Sequence, residues 1–371
     1  MHIGVPKEIK NHEYRVGMTP AGVREAVAHG HRVSIQRGAG ASIGFSDEQY
    51  AQAGARIAAT AAEVFADADL VVKVKEPQPD ECAMMRQGQM LFTYLHLAPD
   101  PQQAQLLIRS GCTAIAYETV SDARGRLPLL APMSEVAGRL APQMGAFALT
   151  KAVGGAGVLL GGVPGVLPAR VAVIGGGVVG ENAAKVALGM GAEVTLIDSD
   201  KPRLQELDRV YGPRLKTLHA SVDAIEQAVA DSDMVIGAVL VPGATAPKLV
   251  SRAMLKRMRI GSALVDVSID QGGCFETSRP TTHTDPIYVV DGIVHYCVAN
   301  MPGAVARTAT LALTAVTLPF ALRLADEGWR RACSADSHLA DGLNVHEGRI
   351  AHRAVAESLG LSHAPLATLL Q

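Results

Sequence analysis

Short, nearly continuous apolar runs alternate along this chain with alanine-rich stretches of helical period. The runs His2–Val5, Arg32–Gln36, Leu70–Val74, Met90–Tyr94, Ala114–Ala116, Arg170–Ile174, Glu193–Ile197, Met234–Gly237, Ala263–Val267 and Val294–Tyr296 predict strands. Most have no polar face, as expected of parallel strands covered on both sides. Pro20–His29, Gly180–Met190 and Ala253–Met258 predict helices between them. This βαβ rhythm predicts an α/β fold of doubly wound sheets.

A weak internal repeat refines the picture. Gly30-His31-Arg32-Val33-Ser34-Ile35 is similar to Gly191-Ala192-Glu193-Val194-Thr195-Leu196, and Ala66-Asp67-Ala68-Asp69-Leu70-Val71-Val72 to Ala230-Asp231-Ser232-Asp233-Met234-Val235-Ile236. Gly88 to Leu95 matches Gly261 to Ser268 in pattern. Three pairs in one order predict two Rossmann-like domains in tandem, with the active site in the cleft between them. After Asn300 the texture changes. Thr308–Leu324 and Leu339–Leu359 predict helices with no strand between them, returning to the first domain. The expected division is 1–128 with 305–371, and 129–304, with hinges in Leu127–Met133 and near Asn300.

The length of 371 residues suits two or three domains. A net charge of −2 gives no broad basic surface, so neither nucleic acid nor an anionic membrane is expected as partner. Five scattered cysteines, an odd count without CxxC, read as reduced thiols of a cytoplasmic protein. The N-terminus opens directly on a strand and lacks the blocks of a signal peptide. The uncharged stretch Ala152–Ala169 is too interrupted by glycine and proline for a membrane span.

The strand Arg170–Ile174 runs straight into Gly175-Gly176-Gly177-Val178-Val179-Gly180 and then a helix. This is GxGxxG where a dinucleotide site requires it. Gly175 makes the turn, Gly177 lets a pyrophosphate approach, and Gly180 lets helix and strand pack closely. The next strand ends in Asp198, placed to hold the ribose hydroxyls and to repel a 2′-phosphate, so NAD is expected over NADP. Arg203 lies near enough to border the adenosine and leaves some room for NADP.

In open α/β sheets ligands bind beyond the carboxyl ends of the strands. Arg15 follows the first strand, Lys75 ends Leu70–Val74, His96 follows Met90–Tyr94, and Asp270 follows Ala263–Val267. Each also has a plainer reading. Arg15 can be a solvated loop charge, and Lys75 can share an exposed face with Lys73. His96 can be a satisfied core histidine, and Asp270 a turn cap. Together they suit one chemistry. A guanidinium and an ammonium bind a carboxylate and polarise a carbonyl, an imidazole moves protons near neutrality, and a carboxylate steadies an amine. With NAD, that set describes oxidation at the α-carbon of a 2-amino or 2-hydroxy acid. No metal signature is present, the one HxH pair, His29-Gly30-His31, reading as a helix exit, and there is no GxSxG nucleophile motif.

The chain resembles the L-alanine dehydrogenase family. The resemblance rests on Gly4-Val5-Pro6-Lys7-Glu8-Ile9-Lys10-Asn11, Arg15-Val16, Thr19-Pro20, Lys73-Val74-Lys75-Glu76-Pro77, Tyr94-Leu95-His96-Leu97 and Ala131-Pro132-Met133-Ser134-Glu135-Val136-Ala137-Gly138. Gly161–Val166, Asp266–Gly273, Ser278–Thr282 and Val298–Pro302 carry it through the second half. It implies a cytoplasmic NAD enzyme, usually hexameric, that interconverts L-alanine with pyruvate and ammonia. Arg15 and Lys75 would bind substrate, His96 would be the acid/base, and Asp270 the second catalytic group. Ser134, Gly175, Gly177, Val178, Val179, Gly180, Asp198, Arg203, Val239, Leu240, Val267, Ser268, Ile269, Asp270, Arg279, Val298, Ala299, Asn300 and Met301 would contact NAD. The NAD subunit of transhydrogenase shares the architecture and is the close rival; an inactive NAD sensor is the other.

Overall fold

The computed structural model describes residues 1–239 and 245–370. It divides into two units, Met1–Met133 with Val305–Gln371, and Ser134–Ala304. The first crossover lies inside the helix Ala131–Ala148, a few residues beyond the expected boundary and within a segment expected to be loop.

In the first unit β1 (His2–Val5), β2 (Arg32–Gln36), β3 (Arg56–Ala58), β4 (Leu70–Val72), β5 (Met90–Thr93) and β6 (Thr113–Ala116) lie in the order β3-β2-β1-β4-β5-β6, all parallel. The second unit repeats this. There β7 (Arg170–Ile174), β8 (Glu193–Asp198), β9 (Leu215–His219), β10 (Met234–Gly237), β11 (Ala263–Asp266) and β13 (Ile293–Tyr296) run β9-β8-β7-β10-β11-β13, also parallel, with β12 (Ile287–Val290) antiparallel at the edge. Strand order 3-2-1-4-5-6 in both sheets is the doubly wound Rossmann order, which reverses direction between β1 and β4 and between β7 and β10. The internal repeat pairs β2 with β8, β4 with β10 and β5 with β11.

The expectation of no strand after Asn300 is corrected. Leu343–His346 (β14) and Arg349–Ile350 (β15) extend the first sheet, β14 antiparallel to β6. Their turn is Glu347-Gly348, both at positive φ, the geometry of a tight hairpin that interrupts what the apolar period presents as one helix. The preceding helix, Ala306–Ala335, is longer than expected and contains Gly328 at φ 74. By length and composition alone Met301–Ala335 is apolar enough to cross a membrane. Its face bearing Ala309, Leu313, Thr317, Ala321 and Leu324 is buried, and the helix packs on β4 and on the helix Pro20–Ala28. It therefore serves as a core helix of the first unit.

Candidate active site

The cluster on the first unit is built at the exits of β1, β4 and β5, around the point where strand order reverses. Arg15 is 2% exposed, so it is no solvated loop charge. Glu13, two residues before it, grips the guanidinium: Nε donates to Oε1 at 2.7 Å and Nη2 to Oε2 at 2.5 Å. Nη1 meets the Met133 sulfur at 3.1 Å. Burial works against the charge on Arg15, but the Glu13 hydrogen bonds and charge, with Tyr94 and Glu8, more than offset it and raise the pKa.

Lys73 and Lys75 do not share an exposed face. Lys73 is wholly buried, its ammonium 2.9 Å from Glu8 Oε2 and 2.7 Å from Glu81 Oε1. Lys75 is half-buried, with its Nζ 3.6 Å from Glu76 Oε2. The backbone carrying it is tied on both sides. Glu8 Oε1 accepts from the N–H groups of Val74 (2.7 Å) and Lys75 (3.3 Å), and the Lys75 carbonyl accepts from Thr93 Oγ1 (2.9 Å).

His96 stands at φ 48, in the left-handed region that non-glycine residues enter only when their surroundings insist. Glu118, in the turn after β6, supplies that insistence. Its Oε1 accepts the His96 N–H at 2.6 Å, and both its oxygens lie 3.2 Å from the Leu95 N–H. The imidazole is 41% exposed, so it is no core histidine, and it stacks on Tyr94 with centroids 5.7 Å apart. Its Nδ1 is 3.6 Å from Glu76 Oε2, the oxygen that Lys75 also faces. Burial pushes the Glu76 pKa up, but the nearby His96 ring and the positive charges of Lys75 and Lys10 prevail and hold it well below the usual carboxylate range. Folding thus favours the ionised form. Its stabilising effect is present at neutral pH and is lost as pH falls through and below about 4.5, where the unfolded side chain takes up a proton. Glu76→Gln should therefore lose less stability between pH 7 and pH 4 than the parent, measured as the shift in urea midpoint; an equal shift refutes this.

The cluster on the second unit centres on the loop between β7 and the helix Val178–Gly189. Gly175 turns at φ 104, where a Cβ would also strike the Ala238 carbonyl, and a Cβ on Gly180 would strike the Gly175 carbonyl. At Gly177, the residue capping the helix, a Cβ would meet nothing within 4 Å. Open space at a helix N-terminus suits a pyrophosphate. Asp198 ends β8; its Oδ2 accepts from Gly176 N (2.5 Å) and its Oδ1 from Asp200 N (2.7 Å). Arg203 is committed. Its Nε donates to the Gly176 carbonyl at 2.7 Å, Nη1 pairs with Glu206 at 2.6 Å, and Nη2 pairs with Glu181. Two carboxylates on one guanidinium leave little positive field for a 2′-phosphate, which removes the reservation about NADP.

Around the β10 and β11 exits, Ser268 Oγ donates to the Val239 carbonyl at 2.7 Å. Leu240 lies outside the described residues. Val267–Gln271 forms a tight turn that leaves Asp270 exposed. Asp266, buried beneath it, accepts from Ser268 N (3.0 Å), Cys274 N (2.9 Å) and Ser278 Oγ (2.5 Å); burial raises its pKa. The Arg279 guanidinium lies 4.0 Å over the Tyr288 ring. Asn300 stands at φ 64, and its carbonyl is 3.1 Å from His283 Nε2. Ile269, Val298 and Met301 are buried, so a ligand would meet them through backbone; Ser134, Val179, Val267 and Ala299 are half-buried, and Val178 is exposed. Arg15, Lys75 and His96 share one cluster, and the glycine loop, Asp198 and Arg203 share another. Glu13, Glu76, Glu118 and Asp266, which hold these groups, were not assigned a role from sequence.

With both clusters described, the relatives can be compared. Residues 4–137 match the family model described as the alanine dehydrogenase/PNT N-terminal domain, and residues 141–353 match its C-terminal domain. The chain belongs to the alanine dehydrogenase/PNT family. Alanine dehydrogenase of Halomonas elongata is 62% identical over the full length of both chains, and that of Bacillus subtilis 54% identical over 100% of this chain and 98% of the other. A solved L-alanine dehydrogenase covers 97% of this chain and 99% of its own at 52% identity, with a TM-score of 0.94. A transhydrogenase from Sinorhizobium meliloti, 24% identical, covers 95% of this chain and all of its own with a TM-score of 0.82, and shares the fold. The family member described here is an NAD-dependent amino-acid dehydrogenase, and the open loop at Gly177 with Asp198 beside it fits that cofactor.

Asp198→Ala should weaken NAD and narrow its preference over NADP. Titration of both nucleotides by protein fluorescence checks this, and an unchanged preference removes Asp198 from the ribose site.

Proposed function

We propose that this chain catalyses the reversible oxidative deamination of L-alanine to pyruvate and ammonia, with His96 as acid/base. The observation that carries the reading is the single Glu76 oxygen faced at 3.6 Å by both Lys75 Nζ and His96 Nδ1. A carboxylate-binding cation and a proton carrier are thereby set side by side at the exits of neighbouring strands. Arg15 and Lys75 hold the substrate carboxylate, and Lys75 also faces the oxygen that develops on the α-carbon. NAD, held by the Gly175–Gly180 loop and Asp198, supplies the hydride acceptor. Loss of the α-hydrogen as hydride, with a proton from nitrogen, leaves iminopyruvate. His96 takes a proton from the water that adds to the imine carbon, and returns it to nitrogen as the carbinolamine expels ammonia. Asp270 is the second catalytic group and steadies the amine or the water. In the sum, alanine, NAD⁺ and water become pyruvate, ammonium, NADH and a proton. The test is to supply L-alanine and NAD and to measure NADH, pyruvate and ammonia. Equal amounts of the three are expected, and no NADH at any alanine concentration overturns the reading.

We read the enzyme as a cytoplasmic homo-oligomer, a hexamer by its resemblance. Its five buried free cysteines support a reducing compartment. The turn bearing Val163, Val166 and Leu167 supports assembly, because all three side chains are exposed, Leu167 at 85%, and a lone soluble chain gains nothing from such a patch. Leu167→Arg should shift the mass by light scattering toward smaller species; an unchanged mass places the interface elsewhere.

A further inference from the structure

The first unit carries a second cluster of ligand-type side chains at the amino-terminal end of β2, opposite the strand ends that hold Arg15, Lys75 and His96. His29 closes the helix Pro20–Ala28, Gly30 turns the chain at φ 82, and His31 immediately precedes β2. Asp326 comes from the long helix Ala306–Ala335 and sets one oxygen against each ring. Oδ2 is 3.0 Å from His29 Nδ1 and Oδ1 is 2.9 Å from His31 Nε2. All three residues present their ligand atoms within 4.8 Å of one another, and no other such group occurs among the described residues.

Hydrogen bonding alone does not account for this arrangement. His31 is only 8% exposed, and its Nε2 makes no hydrogen bond although Asp326 Oδ1 is 2.9 Å away, because the oxygen lies off the N–H direction. His31 Nε2 is one of a few buried polar atoms without a hydrogen-bond partner among the described residues, and it lies in the group formed with His29 and Asp326. In a tetrahedral site with bonds of about 2.1 Å neighbouring donors stand about 3.4 Å apart, so an ion would spread these side chains by a few tenths of an ångström from their 2.9 and 3.0 Å.

We propose that His29, His31 and Asp326 form a binding site for a divalent transition-metal ion such as Zn²⁺ or Ni²⁺, completed by water. Two imidazoles with one carboxylate favour these ions over Mg²⁺ and Ca²⁺, which take oxygen ligands. The ion binds Nε2 of His31, and the other ring nitrogen, Nδ1, lies 3.1 Å from the Met1 nitrogen. It joins the turn before β2 to the helix that returns from the second half of the sequence, and so ties together the two stretches of chain that make up the first unit. The site is remote from the dehydrogenase cluster and has no part in turnover.

The experiment is titration of the full-length protein, stripped by chelator, with Zn²⁺ against a chromogenic competitor, with melting temperature followed in parallel. One equivalent per chain and a raised melting temperature are expected. Asp326→Asn and His29→Ala should each weaken binding by at least about tenfold, since a lost ligand costs no less than a lost outer-shell partner. Both should retain dehydrogenase activity, which shows that they fold. His29 is exposed, so its variant serves even where Asp326→Asn is unstable. The cysteines do not compete, because all five are buried and burial raises each thiol pKa, that of Cys82 to about 12 and that of Cys112 to about 11. Absence of binding, or equal affinity in parent and variants, overturns the proposal.

Discussion

His96→Ala should lower kcat for alanine oxidation by about 10²–10⁴-fold, the usual contribution of a positioned acid/base, while the NAD dissociation constant stays within error. The two effects separate because the groups proposed to meet the dinucleotide belong to the other sheet. Gly177 and Asp198 depend on β7, β8 and the helix Val178–Gly189, and share no hydrogen bond with His96. His96 is held by its backbone, through Glu118, so truncating the ring leaves the chain path in place. The exposed ring also contributes little core packing, so the melting temperature should scarcely move. Steady-state kinetics, nucleotide titration and a melting curve on one preparation make the test. Near-parental turnover would remove His96 from proton transfer. A large rise in KM with kcat unchanged would assign it to binding instead.

The strands that place these groups were legible because buried parallel strands leave an unbroken apolar signature. Val171–Ile174 and Val235–Ile236 have no polar face to obscure it. β3 and β9 were missed for the opposite reason. Arg56-Ile57-Ala58 is three residues long, and Leu215-Lys216-Thr217-Leu218-His219 is mostly solvent-facing, as edge strands are. β14 and β15 were hidden by Glu347-Gly348, where a glutamate adopts positive φ and gives none of the asparagine–glycine signal of a tight turn.

The candidate site was legible in its proposed actors and not in their supports. Arg15, Lys75 and His96 stand where general topology puts ligand-binding residues. The carboxylates that fix them have no sequence marker, because their partners are set by folding. Glu118 lies 22 residues from His96 and meets it only because β5 and β6 are neighbours. Glu13 was visible beside Arg15, but its grip on that guanidinium depends on both being buried. Lys73 shows the limit of pattern reading. Alternation set it level with Lys75 as a surface charge, whereas Glu8 and Glu81 take it into the core.

That burial makes Lys73→Met the most destabilising substitution considered. Methionine fills similar space and removes the ammonium, which leaves Glu8 and Glu81 facing each other in the interior without their cation. Breaking a buried ion pair from one side costs about 3–5 kcal/mol, against about 0–1 for an exposed pair. For a unit of this size that lowers the melting temperature by roughly 10 °C or more. Function should suffer with stability, since Glu8 also binds the N–H groups of Val74 and Lys75. Burial favours the protonated form of Glu8 and Lys73 opposes it, so without the lysine Glu8 should take up a proton, and a protonated carboxyl holds those N–H groups less well. The KM for alanine should therefore rise, and rise further as pH is lowered. Lys73→Met with Glu8→Gln and Glu81→Gln should recover part of the melting temperature, because the unpaired charges are gone, yet should not recover KM, because the ionised acceptor at the Lys75 backbone is gone too. A single substitution that melts with the parent would show that the buried lysine contributes nothing. A triple variant no more stable than the single would show that the loss comes from packing and not from charge.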